Sequence, residues 1–201
     1  MKRIGILGGT FDPPHNGHLI LAEYTREELQ LDHVLFVPVA DHPHKQSTRL
    51  YVEHRLKMLE LAIDKNPKFS ISMVDVDRPG PHYSADTVSI IHEQYPDSEL
   101  FFVMGGDNLR HLPTWRRAED LYERCQLAVM KRADEKIAPD MHDEILPGLS
   151  KKVIIIDVPL LSLWVSSTHI VERLMKGKSV RYIVPDSVLK YIDENGLYRY
   201  D

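Results

Sequence analysis

Two histidines near the start of the chain, His15 and His18, stand where a glycine- and proline-rich stretch passes into a helical pattern. A helix N-terminus presents unpaired N–H groups and the positive end of the helix dipole, so it favours anions such as phosphate. Two imidazoles three residues apart at that point can donate hydrogen bonds to one phosphate chain. Neither Gly-x-x-x-x-Gly-Lys-Ser/Thr nor Gly-x-Gly-x-x-Gly occurs, so the pattern predicts a phosphate site of another kind.

The run that contains these histidines is Gly8-Gly-Thr-Phe-Asp-Pro-Pro-His-Asn-Gly-His18. It resembles the signature of the nucleotidyltransferase superfamily, G-x-F-x-P-x-H-x-G-H. The alternative from the residues alone is a pair of surface histidines in a loop. The resemblance implies that the run binds ATP through Gly8, Gly9, Thr10, Phe11, His15 and His18.

A second motif, Val165-Ser-Ser-Thr-His-Ile-Val171, enters the last part of the chain. It resembles the second signature of the same superfamily, I-S-S-T-x-I-R, which implies that Ser166, Ser167 and Thr168 hold the ATP phosphates at a helix N-terminus. The residues alone also allow an ordinary helix cap. The signature arginine is replaced by Val171, and the next basic residue is Arg173. Two residues rotate about 200° around a helix, so Arg173 is a candidate substitute only if its side chain bends back.

Two glycines and an acid, Gly105-Gly106-Asp107, follow a predicted strand. They resemble the G-x-D turn of the superfamily, in which glycine allows the nucleotide to approach and the acid accepts from ribose or adenine. The resemblance assigns Gly105 and Asp107 to ATP binding. A simple turn with a capping aspartate is the alternative.

Three further elements resemble those of the bacterial nicotinate mononucleotide adenylyltransferases within the superfamily. Leu112-Pro-Thr-Trp115 is similar to their L-x-x-W element, which implies that Trp115 stacks on the pyridine ring through a cation–π contact. Taken alone, a tryptophan in a loop is more often a plug in the core, and the neighbouring motifs favour the stacking role.

The other two elements concern Thr87 and Lys45. The resemblance of the run Tyr83-Ser-Ala-Asp-Thr-Val88 implies that Thr87 donates to the substrate near its nicotinate or ribose. The alternative from the residues alone is that a nearby side chain caps a helix. His42-Pro-His-Lys45 is similar to the family's P-H-K loop, which implies that Lys45 lies over the phosphates as a mobile cation.

The remaining sequence must position these motifs, and it alternates apolar runs with helical patterns. Apolar runs predict buried strands at 3–7, 33–39, 69–76, 99–104, 125–130 and 152–158. Helices are predicted near 17–29, 49–65, 85–95, 117–123, 168–175 and 185–194, with a surface excursion at 133–150. The alternation predicts one α/β domain over residues 1–201, a doubly wound parallel sheet of Rossmann-like nucleotidyltransferase type. Its last 35 residues or so form a helical part that carries the S-S-T motif. Every motif follows a strand end, where such sheets bind ligands.

The amino-acid composition of the chain limits the kinds of partner that it is expected to bind. Thirty acidic and 25 basic residues leave a formal net charge of −5, which argues against nucleic-acid binding. One cysteine, Cys125, permits no internal disulfide and suits a reducing cytoplasm, and no run is long enough to span a membrane. The sequence contains no metal-ligand motif, and oligomeric state is not readable, so a homo-oligomer is compatible with it. The other histidines considered are predicted on the surface: His54, His82, His92, His111 and His142.

Together the motifs imply adenylyl transfer from ATP to nicotinate mononucleotide, giving deamido-NAD and pyrophosphate in NAD biosynthesis. The resemblance implies direct in-line attack, with Mg²⁺ bound to ATP and charge stabilisation by His15, His18, Lys45 and Arg173. The alternatives are a sibling adenylyl- or cytidylyltransferase acting on phosphopantetheine or an alcohol phosphate, a non-catalytic nucleotide-binding regulator, and a nucleic-acid module. Preference for the acid or the amide depends on whether N–H groups or a positive field lie near Thr87 and Trp115.

Overall fold

The computed structural model describes residues 1–40, 49–131, 135–157 and 165–199. Within these ranges the apolar runs form a single six-stranded sheet in the order β3-β2-β1-β4-β5-β6, with every pair parallel. The predicted parallel α/β fold is confirmed. The strands are β1 Lys2–Gly9, β2 His33–Pro38, β3 Phe69–Ile71, β4 Ser98–Gly105, β5 Gln126–Lys131 and β6 Val153–Asp157.

Seven α-helices in the described ranges connect and cover the strands. They are α1 Asn16–Glu28, α2 Val52–Ile63, α3 Ser84–Gln94, α4 Gly106–His111, α5 Ala118–Arg124, α6 Ser167–Met175 and α7 Asp186–Glu194. Short 3₁₀ turns lie at Leu112–Thr114 and Leu149–Lys151. No helix of the described residues is both long and apolar enough to cross a membrane.

Successive side chains of the central strands enter opposite layers of the core, as the period of two requires. On β4, Phe102 packs with the side chains of α3, α4 and α5, whereas Phe101 packs with those of α1 and α2. Both layers are therefore covered by helices, which explains why the strands read as continuous apolar runs. A third cluster joins α6 and α7 to α2 through Met58, Ile170 and Val188.

The order of the strands places a switch point between β1 and β4. The chain runs outward from β1 through β2 to β3, then returns to β4 on the other side of β1, where Ile6 is in register with Phe102. The connections above the carboxyl ends of β1 and β4 therefore diverge and leave a crevice between them. Gly9 ends β1 and Gly105 ends β4, so the two glycine motifs of the sequence stand on either side of this crevice.

Two sequence expectations need correction. The strand predicted at 69–76 ends at Ile71, and residues 73–77 form a turn in which the Val76 N–H donates to the Met73 carbonyl at 2.8 Å. The turn places Asp75 in a buried position, where Arg78 and Thr87 offset the cost of burying its carboxylate. The excursion at 133–150 is more than surface, since Leu146 and Leu149 are buried in the core layer of α3 to α5.

Candidate active site

The loop after β1 is held from beneath by buried groups. Phe11 has a left-handed φ of 50° and is fully buried, with its ring 5.7 Å from that of Phe36. A Cβ on Gly9 would stand 2.9 Å from the Phe11 ring, so only glycine leaves room for this packing. The buried Arg55 guanidinium donates to the Thr10 carbonyl at 2.7 Å. Side chains from two other elements thus set the path of the loop.

Asp12 is the second anchor of this loop. Its buried carboxylate accepts from the Arg49 N–H at 2.8 Å and from the Tyr198 hydroxyl at 2.5 Å. Burial and the neighbouring carboxylate both raise the pKa of Tyr198, so the phenol remains a donor. Sequence reasoning missed Asp12, Tyr198 and Arg55 as supports. Arg55 was detectable in principle, because it lies on the same helical face as Met58 and Leu59.

His15 and His18 meet at the start of α1, as the sequence predicts. His15 is the N-cap residue, so the helix begins one position before the predicted start near residue 17, and the His15 ring stacks on that of His18 with centroids 3.7 Å apart. The His15 backbone N–H donates to Nδ1 of His18 at 3.2 Å. Nδ1 of His18 is therefore an acceptor, so a neutral His18 carries its proton on Nε2 and can donate there.

Both imidazoles are neutral at pH 7 in the free protein. Burial lowers the pKa of His15 to about 4. Burial also holds the pKa of His18 well below its usual range, and the adjacent His15 lowers it further. Two stacked cations in this position would repel each other, whereas an anion laid against them would favour protonation. The pair is thus poised to gain positive charge when a phosphate chain arrives.

The N-terminus of α6 meets the same loop. Ser166 caps α6 by accepting from the His169 N–H at 3.2 Å, and the Ser167 hydroxyl donates to the Pro13 carbonyl at 2.9 Å. A Cβ on Gly17 would lie 3.0 Å from Nδ1 of His15 and 3.7 Å from the Cβ of Val165, so the absence of a side chain there lets the two helices approach. Thr168 is exposed in the first turn of α6. Residues Thr10–His18 and the first turn of α6 are called the phosphate end below.

Arg173 is not brought to the phosphate end. Its guanidinium donates twice to the Ser179 carbonyl, at 2.9 and 3.0 Å, in the segment that leaves the C-terminal end of α6. Val171, which occupies the signature arginine position, is buried. The helical rotation that separates positions 171 and 173 thus turns Arg173 towards a different partner, so the geometry does not support Arg173 as a substitute for the missing arginine.

The turn after β4 lies across the crevice from the histidines. Gly105 is the N-cap of α4, a helix the sequence did not predict, and Asp107 is exposed in its first turn. A Cβ on Gly105 would stand 2.5 Å from a carboxylate oxygen of Asp107, so glycine is required for the acid to fold back over this turn. The next residue, Asn108, lines the cleft.

A cleft of about 430 Å³ opens between these strand ends. Gly8 and Gly9 form one part of its wall, and a Cβ on Gly8 would meet nothing within 4 Å, so the backbone itself faces the space. Another part of the wall comes from α3, from the segment before α3 and from the segment after α4. Its residues, called the ring end, are Asp75, His82, Tyr83, Thr87, Trp115 and Arg116.

Thr87 lies at the ring end, where its side chain belongs to a buried hydrogen-bond network. Its hydroxyl donates to Asp75 at 2.8 Å, and the Asp75 carboxylate also accepts from the Arg78 guanidinium at 2.8 Å. Thr87 and Asp75 are both buried. Because the single hydroxyl hydrogen of Thr87 is directed at Asp75, the geometry does not support the expected donation to a substrate. The side chain instead fixes this wall of the cleft.

Trp115 borders the cleft and is partly buried against the core. Its indole meets the Phe102 ring edge-on, with centroids 6.2 Å apart and an angle of 89°. Its neighbour Arg116 places its guanidinium 5.2 Å from the centre of the Tyr83 ring. The tryptophan thus has one side in the core and one side on the cleft, and its stacking on a pyridine ring stays a prediction.

Two other expectations concern single residues. His82, expected on the surface, is buried and lines the ring end, because the turn at 73–83 folds back over the cleft. Lys45 lies outside the described residues. Sequence reasoning also missed Asp75, Arg78, Tyr83 and Arg116, whose shared position depends on contacts between separate elements.

The fold and cleft are those of a nucleotide-binding α/β transferase, and residues 6–173 match the family model described as cytidylyltransferase-like. The nicotinate-nucleotide adenylyltransferase of Bacillus subtilis is 43% identical over 200 residues, covering 98% of this chain and 99% of that protein. A "Probable nicotinate-nucleotide adenylyltransferase" of Thermomicrobium roseum is 44% identical, covering 99% and 92%. The chain therefore belongs to the cytidylyltransferase-like family, within its nicotinate-nucleotide adenylyltransferase branch.

Solved structures agree on the fold. A Plasmodium falciparum nicotinic acid mononucleotide adenylyltransferase complexed with NaAD superposes with a TM-score of 0.79 at 21% identity, covering 98% of both chains. The same enzyme complexed with APC gives a TM-score of 0.77 at 20% identity. At this level of identity the likeness extends the fold assignment to the whole chain.

Proposed function

We propose that this protein transfers the adenylyl group of ATP to nicotinate mononucleotide, giving deamido-NAD and pyrophosphate. Family membership supports the reaction class, and the names of the relatives support this acceptor. The observation that carries the proposal is that two unlike groups of residues adjoin. The cleft offers the indole of Trp115 to an aromatic ring, and its wall at Gly8 and Gly9 leads directly into the loop whose imidazoles and helix starts can receive phosphates.

The reaction needs little covalent chemistry from the protein. A phosphate oxygen of the mononucleotide attacks the α-phosphorus of ATP, and the bond to the bridging oxygen of the β-phosphate breaks as pyrophosphate leaves. A phosphate monoester has a second pKa of about 6, so it is largely ionised at neutral pH and needs no general base. Alignment of the two nucleotides and stabilisation of the charge on the phosphates supply the catalysis.

The phosphate end provides that stabilisation. In this proposal His18 donates from Nε2 to the phosphates, His15 stacks against it, and the positive ends of the α1 and α6 dipoles favour the same anion. Burial lowers the pKa of His15 in the free protein to about 4, and an adjacent phosphate would act in the opposite direction by favouring the protonated ring. Lys45 stays a prediction of the sequence as an added cation. At the ring end, Trp115 receives the pyridine ring.

Mg²⁺ is part of the proposal, as a cation that neutralises charge on the ATP phosphates. Among the described residues, no group of three or more histidine, cysteine, aspartate or glutamate side chains is arranged to hold a metal. The donor set of the phosphate end is imidazole, hydroxyl and N–H, which fits the phosphates better than a hard cation. Phosphate oxygens and water are therefore the proposed ligands. A cytoplasmic location stays a prediction.

Pyrophosphate release measured with ATP and nicotinate mononucleotide tests the proposal. Release should require both substrates, and the dinucleotide should accumulate in equal amount. Phosphopantetheine and a simple alcohol phosphate, each supplied with ATP, are the matched controls. Turnover of either control acceptor, with none of the mononucleotide, would replace the proposed acceptor and leave the reaction class standing.

A further inference from the structure

The ring end of the cleft carries an unbalanced charge. Among the described residues that line the cleft, Asp75 and Arg116 are the charged ones. The charge of Asp75 is already met, because its buried carboxylate is paired with Arg78 at 2.8 Å and accepts from Thr87. Of these two residues, it is therefore Arg116 that presents its charge to a ligand at this end.

Arg116 is placed to act on a ligand. Its guanidinium lies over the Tyr83 ring, 5.2 Å from its centre, and among the described residues no carboxylate lies within ion-pairing distance of it. The adjacent Arg117 is different, because it is paired with both Asp86 and Asp120. An exposed cation–π contact holds an arginine weakly, so Arg116 can turn to an anion at small cost.

The path from the cleft to the phosphate end determines which part of a mononucleotide meets Arg116. In the proposed function the ATP phosphates bind at the phosphate end, so the mononucleotide phosphate must reach the same place, and Gly8 and Gly9 lead from the cleft directly to that loop. The pyridine ring then lies at Trp115, the residue next to Arg116. The acid and the amide differ in the ring substituent, a carboxylate in one and a neutral carboxamide in the other.

We propose that Arg116 is the residue that selects the acid over the amide, by attracting the ring carboxylate of the mononucleotide in this cleft. The inference rests on the proposed function and adds a specificity residue to it. A guanidinium donates two N–H groups in the geometry that a carboxylate accepts, and the carboxamide offers it no charge.

Steady-state kinetics with the two mononucleotides on Arg116→Gln test the proposal. The KM for nicotinate mononucleotide should rise roughly tenfold or more, the size of a lost charge-assisted hydrogen bond, while the KM for nicotinamide mononucleotide changes less than about twofold. Arg116→Lys, which keeps the charge, should retain most of the preference. Arg116 is exposed, so these substitutions spare the core.

Arg117→Gln is the matched control, because it removes a neighbouring charge that is already paired, and it should leave the acid-to-amide ratio unchanged. Two results would overturn the proposal. An equal loss with both mononucleotides would mean that Arg116 contacts the phosphate or ribose they share. An unchanged ratio would mean that uncharged donors make the selection.

Failure of the proposed function would look different, since the wild-type protein would then turn over neither mononucleotide. In that case calorimetric binding of the acid and the amide to wild type and Arg116→Gln still decides the role of Arg116. Loss of the difference in affinity supports it, and a retained difference, or no binding of either, overturns it.

Discussion

The phosphate end and the ring end offer a ligand different physical groups. At the phosphate end these groups are two imidazoles, and burial lowers the pKa of His15 to about 4, so that an anion beside it would favour the protonated form. At the ring end a permanent cation, Arg116, stands beside an aromatic wall. The first arrangement suits a ligand that must bind and leave as pyrophosphate, and the second suits discrimination between similar rings.

The phosphate end and the ring end also differ in the residues that hold them in place. The phosphate end is held from outside by Arg55, which binds the Thr10 carbonyl, and by Tyr198, which binds Asp12, so the supports of the loop are separate from its histidines. At the ring end the buried network of Asp75, Arg78 and Thr87 lies in the wall itself. Substitutions at the phosphate end should therefore affect turnover, and those at the ring end should affect mononucleotide affinity.

The largest expected effect is at His18. His18→Ala removes the Nε2–H donor to the phosphates, and turnover should fall by about 10²–10³, the usual loss for one charge-stabilising donor. His92→Ala, an exposed histidine on α3, is the control and should keep normal turnover. Near-normal turnover in His18→Ala would remove the phosphate end from catalysis and break the contrast between the two ends.

Trp115→Ala should mainly raise the KM for the mononucleotide, by roughly 3- to 30-fold, because it removes a cation–π contact of about 0.5–2 kcal/mol. The KM for ATP should change little, since ATP phosphates bind at the other end. Measurement of both constants separates the ends directly. If the two KM values rose together, the indole would be acting as a core plug that shapes the whole cleft.

Lowering the pH should reduce the free energy of unfolding through the histidine pair. The folded pKa of His15 lies below its usual value of 6.5, so the unfolded chain binds more protons between about pH 6.5 and 4, and stability falls as the pH falls through that window. Chemical denaturation should show a loss of about 1 kcal/mol from this residue between pH 7 and 5.5. His15→Asn, which keeps an N-cap side chain, should show a shallower dependence. An identical slope in that variant would contradict the burial argument.

The smallest effect is expected at Arg173. Its guanidinium is bound to the Ser179 carbonyl at the far end of α6, so Arg173→Gln should change kcat and the KM for ATP by less than about twofold. Its thermal midpoint should fall only slightly. A loss of turnover comparable to that of His18→Ala would show that Arg173 reaches the phosphates after all, and the boundary of the phosphate end would move.

The two ends of the candidate site also differ in how much of each could be predicted from the sequence. The residues predicted at the phosphate end come from contiguous motifs, and the structure brings His15, His18, Ser166 and Ser167 together. The ring end was predicted only as Thr87 and Trp115, and the direction of the Thr87 hydroxyl was not foreseen. Asp75 lies in a turn that the pattern had assigned to a strand, so its burial beside Thr87 had no local signal.

The sequence by itself determined the parallel α/β sheet, the six apolar strands and the meeting of glycine motif and histidines at a helix start. Apolar runs, glycine and proline turns and helix termini are local properties, because each depends on a few neighbouring residues. Within the part of the chain that the structure describes, the tertiary structure alone decided that Arg78 and Arg117 are paired with carboxylates and that Arg116 lines the cleft. Pairing depends on side chains brought together from separate turns and helices, as Arg78 with Asp75 and Arg117 with Asp86 show, and linear spacing carries no record of that.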